Sequence, residues 1–260
     1  MNTKKRTFHP AFYIMMVLYF ILAYSTVGWG EPWAATLYSE DHFFENVGAI
    51  SLFAAAAISL YVFMFALKTR EITRMHRSKL FVYSALAMLY FFGAGEELSW
   101  GQRIFHIQVS PGLAQENPQQ ELNIHNLAFV EKNPYFNADN IFTVFWMGFA
   151  VAIPFVSLVW KRFQLVAERL TPVVSWGFGV LFLINYGLAK LAKLIFLSAY
   201  TYQTILFPQA LQEVKESNYE LLFVFLSLLV LWDLNFLTVP KFDLSVLNRL
   251  RATEQTFSKY

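Results

Sequence analysis

The chain has 260 residues, of which 57% are hydrophobic, 18% are aromatic and only 15% are charged. Soluble domains are about 45–50% apolar and about 25% charged. The composition therefore excludes a soluble globular enzyme, a disordered chain and a nucleic-acid binder that uses a basic patch. The sequence contains no Cys, which excludes disulfides, thiolate metal sites and thiol nucleophiles. The net charge of +2 conceals an uneven distribution along the chain.

Six apolar segments are long enough to cross a bilayer as helices, since a spanning helix needs about 20 residues. Their hydrophobicity is continuous rather than alternating, which predicts helices embedded in lipid. No repeat or linker divides the chain. The sequence therefore predicts a single all-α transmembrane domain over residues 1–260, with spans at about 11–33, 45–67, 80–100, 141–160, 172–197 and 219–239.

The basic residues predict an orientation for these spans. Most of the 20 Lys and Arg fall in the N-terminus, the second-to-third connection, the fourth-to-fifth connection and the C-terminus. Short cytoplasmic connections are enriched in Lys and Arg, so we predict that both termini are cytoplasmic. The first apolar stretch also fits a signal peptide, but no clear cleavage site follows it. The bilayer itself is the partner that this pattern predicts.

Most of the 18 Asp and Glu lie on the opposite side, and some fall inside the predicted spans. Glu96 and Glu97 lie about 16 residues into the third span, or ~25 Å at 1.5 Å per residue. Glu45 and Glu220 lie at the predicted N-termini of the second and sixth spans, where the helix dipole favours an anion. An ionised side chain at the bilayer centre costs ~2.5–3.5 kcal/mol, and less near the interface. These carboxylates therefore need partners or a function.

Two interpretations of this acidic layer remain open. Lys190 and Lys193, which lie at a similar depth in the fifth span, would neutralise the glutamates in a structural ion-pair network. Alternatively, the carboxylates form a functional site. Glu96 and Glu97 are adjacent at the C-terminal end of a membrane helix, where they oppose the dipole and repel each other. That arrangement favours a functional role for this pair.

The long connection between the third and fourth spans contains a helix signal of its own. Asn117 and Gln120 form an Asn-x-x-Gln capping box, which predicts a short amphipathic helix running to about Glu131. Four-residue spacing would place Glu121 and His125 on one face of that helix. Glu and His at this spacing can serve as metal ligands or as an acid–base pair.

The chain carries Gly-Glu-Glu-Leu-Ser-Trp-Gly-Gln-Arg at 95–103 and Gln-Glu-Leu-Asn-Ile-His-Asn at 120–126. Both strings resemble the signatures of a family of bacterial multi-spanning membrane proteins, and the likeness extends over most of the chain. The resemblance implies a location in the bacterial inner membrane. That family has no assigned biochemical activity, so the resemblance supports the architecture and the site but supplies no reaction.

The first functional hypothesis is a metal-dependent hydrolase or transferase that acts on a lipid or lipid-linked substrate at the outer leaflet. A carboxylate that does not bind the metal would act as general base to a bound water. Arg103 would hold a phosphate head group or form a salt bridge with Glu96. The expected cofactors are one or two divalent ions: Mg, Mn, Fe or Zn. The candidate catalytic residues are Glu96, Glu97, Glu121, His125 and Arg103, and the candidate metal ligands are Glu97, Glu121, His125, Glu45 and Glu220.

Two other classes of function fit the sequence. A non-catalytic assembly or scaffold subunit would use the polar layer as a docking surface. A cation or proton transporter would use the carboxylates as an ion pathway. Transport is the less favoured of the two, because the ionisable groups stop near one face and Asn185 is an isolated polar residue in the remaining bundle. The chain also has no inverted repeat.

Overall fold

The computed structural model describes residues 7–38, 42–102, 104–110, 112, 117, 122–124, 127–131, 133, 137–199 and 206–238. Within these ranges the regular structure is helical, and they contain no β-strand. The fold is therefore the all-α bundle that the composition predicted. Its helices are α1 (Pro10–Val27), α2 (Glu31–Leu37), α3 (Phe43–Thr73), α4 (Arg77–Glu97), α5 (Ala128–Glu131), α6 (Ala138–Trp146), α7 (Ile153–Val159), α8 (Lys161–Leu170), α9 (Trp176–Phe196) and α10 (Leu206–Thr238).

Six segments in the described part of the chain are long and apolar enough to cross a membrane, which confirms the predicted number of spans. The fourth span joins α6 and α7 through an intervening π-helical segment, Met147–Ala152. Large apolar side chains are exposed along most of the spans, as expected for surfaces that face lipid. The six spans are Pro10–Val27, Phe43–Glu71, Arg77–Glu97, Asn140–Val159, Trp176–Phe196 and Leu206–Leu234.

The core of the bundle is built on α3, which packs along both α4 and α10. Small residues on α3, including Ala55, Ser59 and Ala66, are buried and let the neighbouring helices approach closely. Ser59 Oγ lies 3.1 Å from Ser227 Oγ of α10, so the two helices also share a buried hydrogen bond. Helix α9 packs against α1, α10 and the π-helical segment.

The first span is shorter than its apolar stretch, and α2 accounts for the difference. Helix α1 ends at Val27, and the chain turns through Gly28 and Gly30 before α2 begins. Gly30 has a φ of 80°, which a glycine adopts without steric cost. Pro32 then occupies the first turn of α2, where its missing N–H is not needed. The break moves Trp33 out of the predicted first span.

The last helix begins earlier than hydropathy predicts. Helix α10 starts at Leu206 rather than near residue 219, because Gln, Glu, Lys and Ala favour helix even where they lower the hydropathy. Glu220 consequently lies deep inside α10. The prediction that a helix N-terminus stabilises Glu220 is therefore wrong, whereas Glu45 does lie in the first turn of α3.

The π-helical segment in the fourth span has a local cause. Pro154 has no N–H to donate to the carbonyl of Ala150, four residues earlier. At that position α9 presents Gly179, whose backbone packs so closely that a Cβ would overlap Ala150 O. Pro154 in the fourth span and Gly179 on α9 therefore both contribute to the close contact between the π-helical segment and α9.

The loop between α4 and α6 differs from its prediction. Residues 122–124 lie outside any helix, so the predicted helix does not run unbroken to Glu131, and the next described helix is the single turn of α5, Ala128–Glu131. Asn117 Nδ2 donates to Asn123 Oδ1 at 2.9 Å and to Asn123 O at 3.4 Å. These bonds join two points of the loop that are six residues apart.

Asn185 is not isolated, contrary to the sequence-based prediction. Its Oδ1 accepts hydrogen bonds from Tyr24 Oη at 2.9 Å and from Asn218 Nδ2 at 3.0 Å. Its Nδ2 donates to the backbone carbonyl of Lys215 at 2.9 Å. This buried amide therefore joins α1, α9 and α10, and it fixes their relative register in a bundle whose other contacts are mostly apolar.

Candidate functional site

The Gly-Glu-Glu-x-Ser-Trp-Gly string forms a sharp reversal at the end of α4. Ser99, Trp100 and Gly101 have φ values of 44°, 54° and 74°, so three successive residues adopt left-handed backbone. This turn folds the Trp100 indole back onto Gly95, where a Cβ would come within 2.8 Å of the ring. The backbone strain at Ser99 and Trp100 is of the kind that clusters at functional sites.

The reversal brings hydrogen-bond donors to Glu96, which is only 6% exposed. Trp100 Nε1 donates to Glu96 Oε1 at 2.6 Å. The backbone N–H of Ile124 donates to Glu96 Oε2 at 2.7 Å. Both carboxylate oxygens are therefore occupied, and Glu96 holds the loop between α4 and α6 against the end of α4.

Gln102 adds a second attachment for the same loop. Its Oε1 accepts a hydrogen bond from the backbone N–H of Leu122 at 2.7 Å. The Asn117–Asn123 pair lies in the same loop, and Ile124 and Val130 of this loop line a cavity. Several residues of the two motif strings thus position the loop over the cavity.

This cavity has a volume of about 350 Å³ and lies between α3, α4, α6 and α10. Its walls are mainly aliphatic and aromatic. Glu96, Glu97, Gln212, Glu216 and Glu220 supply the polar lining, and we call the part that they form the acidic end. Pockets of ~300–1,000 Å³ with apolar walls and a few polar groups are typical of small-molecule sites. The cavity is lined by Leu52, Leu89, Tyr90, Phe92, Gly93, Glu96, Glu97, Ile124, Val130, Ile141, Phe142, Phe145, Gln212, Glu216, Glu220 and Phe223.

Glu97 and Glu220 face this cavity from different helices. Glu220 is 4% exposed, and Glu97 is half-buried. The Glu220 carboxylate lies against α3 at Gly48, where a Cβ would overlap Glu220 Oε2. Within the described ranges neither carboxylate has a hydrogen-bond or ion-pair partner. Two carboxylates are therefore held close together with no described group to compensate them.

Three further glutamates lie near enough for their charges to act on Glu97 and Glu220: Glu45, Glu213 and Glu216. Glu216 lies 3.9 Å from Lys215 Nζ and accepts from Gln212 Nε2 at 3.3 Å. The structure thus brings Glu45, Glu97 and Glu220, which the sequence named as candidate ligands, to one end of the bundle.

Lys190 and Lys193 do not neutralise this cluster. Both side chains are exposed on α9, and no residue of α9 lines the cavity. Lys190 Nζ lies 5.2 Å from the centroid of the Tyr186 ring, a cation–π contact on its own helix. Among the described lining residues there is no Lys or Arg. The interpretation of the acidic layer as a network paired by these two lysines is therefore wrong.

The remaining predicted site residues, Glu121, His125 and Arg103, lie outside the described residues. Because residues 122–124 are not helical, the argument that put Glu121 and His125 on one helical face no longer applies. Within the described ranges, no group of three or more His, Asp or Glu side chains is arranged to hold a metal ion.

The site also uses residues that the sequence analysis did not select. Gly48 leaves room for the Glu220 carboxylate, and Tyr90, Phe142, Phe145 and Phe223 form the aromatic wall. One signal was available for Tyr90, which lies seven residues before Glu97 and therefore on the same face of α4. Nothing in the spacing indicates Gly48, because its partner lies on a helix far away in the sequence.

Comparison with protein-family models, with curated proteins and with solved structures gives no match for this chain. The resemblance to a family of bacterial membrane proteins therefore stays a prediction based on the two motif strings. The cavity and its carboxylates are the features that bear on the function of this chain.

Proposed function

We propose that this multi-pass membrane protein is a hydrolase or transferase that acts on a lipid or lipid-linked substrate, with Glu97 and Glu220 as its acid–base groups. One observation carries the proposal. Two carboxylates without a described partner lie at one end of a 350 Å³ cavity whose other walls are aliphatic and aromatic. Burying a charged group without compensation is costly, so a cavity of this kind is best explained by a ligand that uses them.

The chemistry follows from the pair. One carboxyl group, as carboxylate, takes a proton from water or from an acceptor hydroxyl as that oxygen attacks the substrate. The other, carrying a proton, donates it to the leaving oxygen. The apolar walls hold the hydrocarbon part of the substrate and exclude bulk water from the pair. Glu96 contributes by holding the loop over the cavity.

Transport has less support than catalysis. The Ser59–Ser227 hydrogen bond continues the polar groups below the cavity. Beyond it, the buried positions Val62, Val230 and Leu234 are apolar. In the described part of the chain these apolar side chains lie between the acidic end and the opposite end of the bundle, which gives transport less support than catalysis. Docking of a partner protein at the acidic end is the remaining alternative.

A divalent metal ion is a separate part of the proposal. The described carboxylates do not form a three-ligand group, so a metal would require Glu121 or His125 in addition to Glu97, Glu45 or Glu220. Elemental analysis of purified protein tests this part directly. Stoichiometric metal that is lost in His125→Ala would support it, and metal-free protein that retains activity would reject it.

The reaction is tested by reconstituting the purified chain into vesicles of bacterial polar lipids and following the lipids by mass spectrometry. We expect a lipid product that forms with the wild-type protein and falls at least about a hundredfold in Glu97→Gln or Glu220→Gln, a range typical of acid–base groups. Glu71→Gln is the matched control, because Glu71 is exposed at the opposite end of α3. A lipid profile that the wild-type protein does not alter would contradict the proposal.

The proposal also places the acidic end at the outer leaflet and both termini in the cytoplasm. Because the chain has no Cys, single cysteines at exposed positions report the orientation cleanly. Ser110→Cys should react with a membrane-impermeant maleimide on intact cells, whereas Glu71→Cys should react only after permeabilisation. The reverse pattern would place the site in the cytoplasmic leaflet.

A further inference from the structure

Part of the cavity wall is a cluster of aromatic rings. The Phe223 ring centroid lies 5.1 Å from that of Tyr90, 5.8 Å from that of Phe142 and 5.6 Å from that of Phe145. The Phe142 and Phe223 rings meet edge to face at 90°. Rings from α4, α6 and α10 therefore converge on one wall, and all four of these residues line the cavity.

The charge of the lining is one-sided. Four carboxylates line the cavity, and the described lining residues include no Lys or Arg. Glu220 is the most informative of the four, because it is 96% buried and has no hydrogen-bond partner among the described residues. Gly48 leaves space for its carboxylate, because a Cβ at residue 48 would overlap Glu220 Oε2. The cavity is thus prepared for a ligand with positive charge at its polar end.

Aromatic faces and carboxylates together select a particular kind of cation. An alkylammonium group donates charge-assisted hydrogen bonds to carboxylates, and the hydrocarbon chain attached to it packs against aromatic side chains. Divalent ions instead require several convergent oxygens and gain nothing from phenylalanine walls. No three-ligand group of His, Asp or Glu is present in the described ranges, so the aromatic wall favours an organic cation.

We propose that the cavity binds an amphiphile whose polar end is a protonated amine, with the ammonium group at Glu97 and Glu220 and the hydrocarbon chain against Phe142, Phe145 and Phe223. This inference rests on the proposed function, since it names the class of substrate for the same site. The volume of about 350 Å³ accommodates one alkyl chain or one head group rather than a complete diacyl lipid.

Photoreactive probes test the proposal on the whole chain in lipid nanodiscs. A dodecylamine and a dodecanol that carry the same diazirine differ only in the charged group, and mass spectrometry identifies the residues that each one labels. We expect the amine to label the cavity residues at concentrations about tenfold lower than the alcohol, which corresponds to ~1.4 kcal/mol. The double variant Glu97→Gln/Glu220→Gln should lower amine labelling to the level of the alcohol and leave alcohol labelling unchanged.

Glu71→Gln is again the matched control and should label like the wild-type protein. Equal labelling of the cavity by amine and alcohol in the wild-type protein would overturn the amine assignment while leaving the lipid site intact. Labelling of the cavity by neither probe would overturn both proposals. Binding of one equivalent of Mn²⁺ that displaces the amine and is lost in the double variant would assign the carboxylates to a metal ion instead.

Discussion

Adjacent residues of one motif have different roles at the acidic end. Glu96 and Glu97 are neighbours in sequence, yet Glu96 accepts two hydrogen bonds and Glu97 has none among the described residues. The helical turn between consecutive residues is about 100°, so the two side chains point in different directions from the end of α4. Both residues line the cavity, but the Glu96 carboxylate also holds the loop through its hydrogen bonds, whereas the Glu97 carboxylate has no such bond to a described residue.

The two carboxylates should therefore respond differently to the same substitution. Glu96→Gln replaces one acceptor oxygen with an NH₂ group, which meets the N–H of Trp100 or Ile124 and leaves a donor unsatisfied. We expect a loss of about 1–3 kcal/mol in stability and faster proteolysis of the loop between α4 and α6. Glu97→Gln should leave both measurements unchanged. Equal effects of the two substitutions, measured by thermal unfolding and limited proteolysis, would contradict these assignments.

Gly48 is the residue on which the position of Glu220 depends. Gly48→Ala improves helix propensity by about 1 kcal/mol, but the added methyl group overlaps the Glu220 carboxylate. We expect the melting temperature to fall, and the additional change Glu220→Ala to restore it. Gly187→Ala on α9 is the matched control, since a Cβ there has no neighbour within 4 Å. A Gly48→Ala variant as stable as Gly187→Ala would contradict a fixed position of the Glu220 carboxylate against Gly48.

At the scale of the helices, the close contact between α9 and the π-helical segment decides how the fourth span packs. Gly179 and Gly177 lie two residues apart on α9, but a Cβ at Gly179 would overlap Ala150 O and a Cβ at Gly177 would meet nothing within 4 Å. Gly179→Ala should therefore destabilise the protein by about 1–3 kcal/mol, the typical range for overpacked cores. Gly177→Ala should be neutral or slightly stabilising in the same thermal-unfolding measurement.

The spans themselves could be predicted from sequence, because continuous apolar runs report directly on the free energy of transfer into lipid. Their ends could not. Helix α10 begins thirteen residues before its apolar run, and α4 ends before Trp100 because the chain enters a left-handed turn. Hydropathy carries no information on such turns. The residues before 219 in α10 include Gln, Glu, Lys and Ala, which favour helix but lower the hydropathy, so hydropathy alone misses this extension.

At the scale of the whole molecule, the site joins parts of the chain that are far apart in sequence. The residues Glu45, Glu97 and Glu220 could be selected from sequence, because charged groups inside apolar spans are rare and costly. Their surroundings could not, since the aromatic wall and Gly48 depend on which helices are neighbours. The predicted lysine partners failed for the same reason: depth along a span does not say which way a side chain faces.

Glutamates from three helices lie close together near the acidic end: Glu45 of α3, Glu97 of α4, and Glu213, Glu216 and Glu220 of α10. The most direct test of the account is whether Glu97 and Glu220 meet in the folded protein. The chain contains no Cys, so paired substitutions can be cross-linked without background.

The decisive measurement is cross-linking of Glu97→Cys with Glu220→Cys by a short thiol-specific reagent in membranes, followed by mass spectrometry of the joined peptides. We predict an efficient intramolecular cross-link for this pair. The pair Lys193→Cys with Glu220→Cys should give none, because Lys193 is exposed on a helix that does not line the cavity. Failure of the first pair, or equal cross-linking of both, would contradict the site on which the proposed function depends.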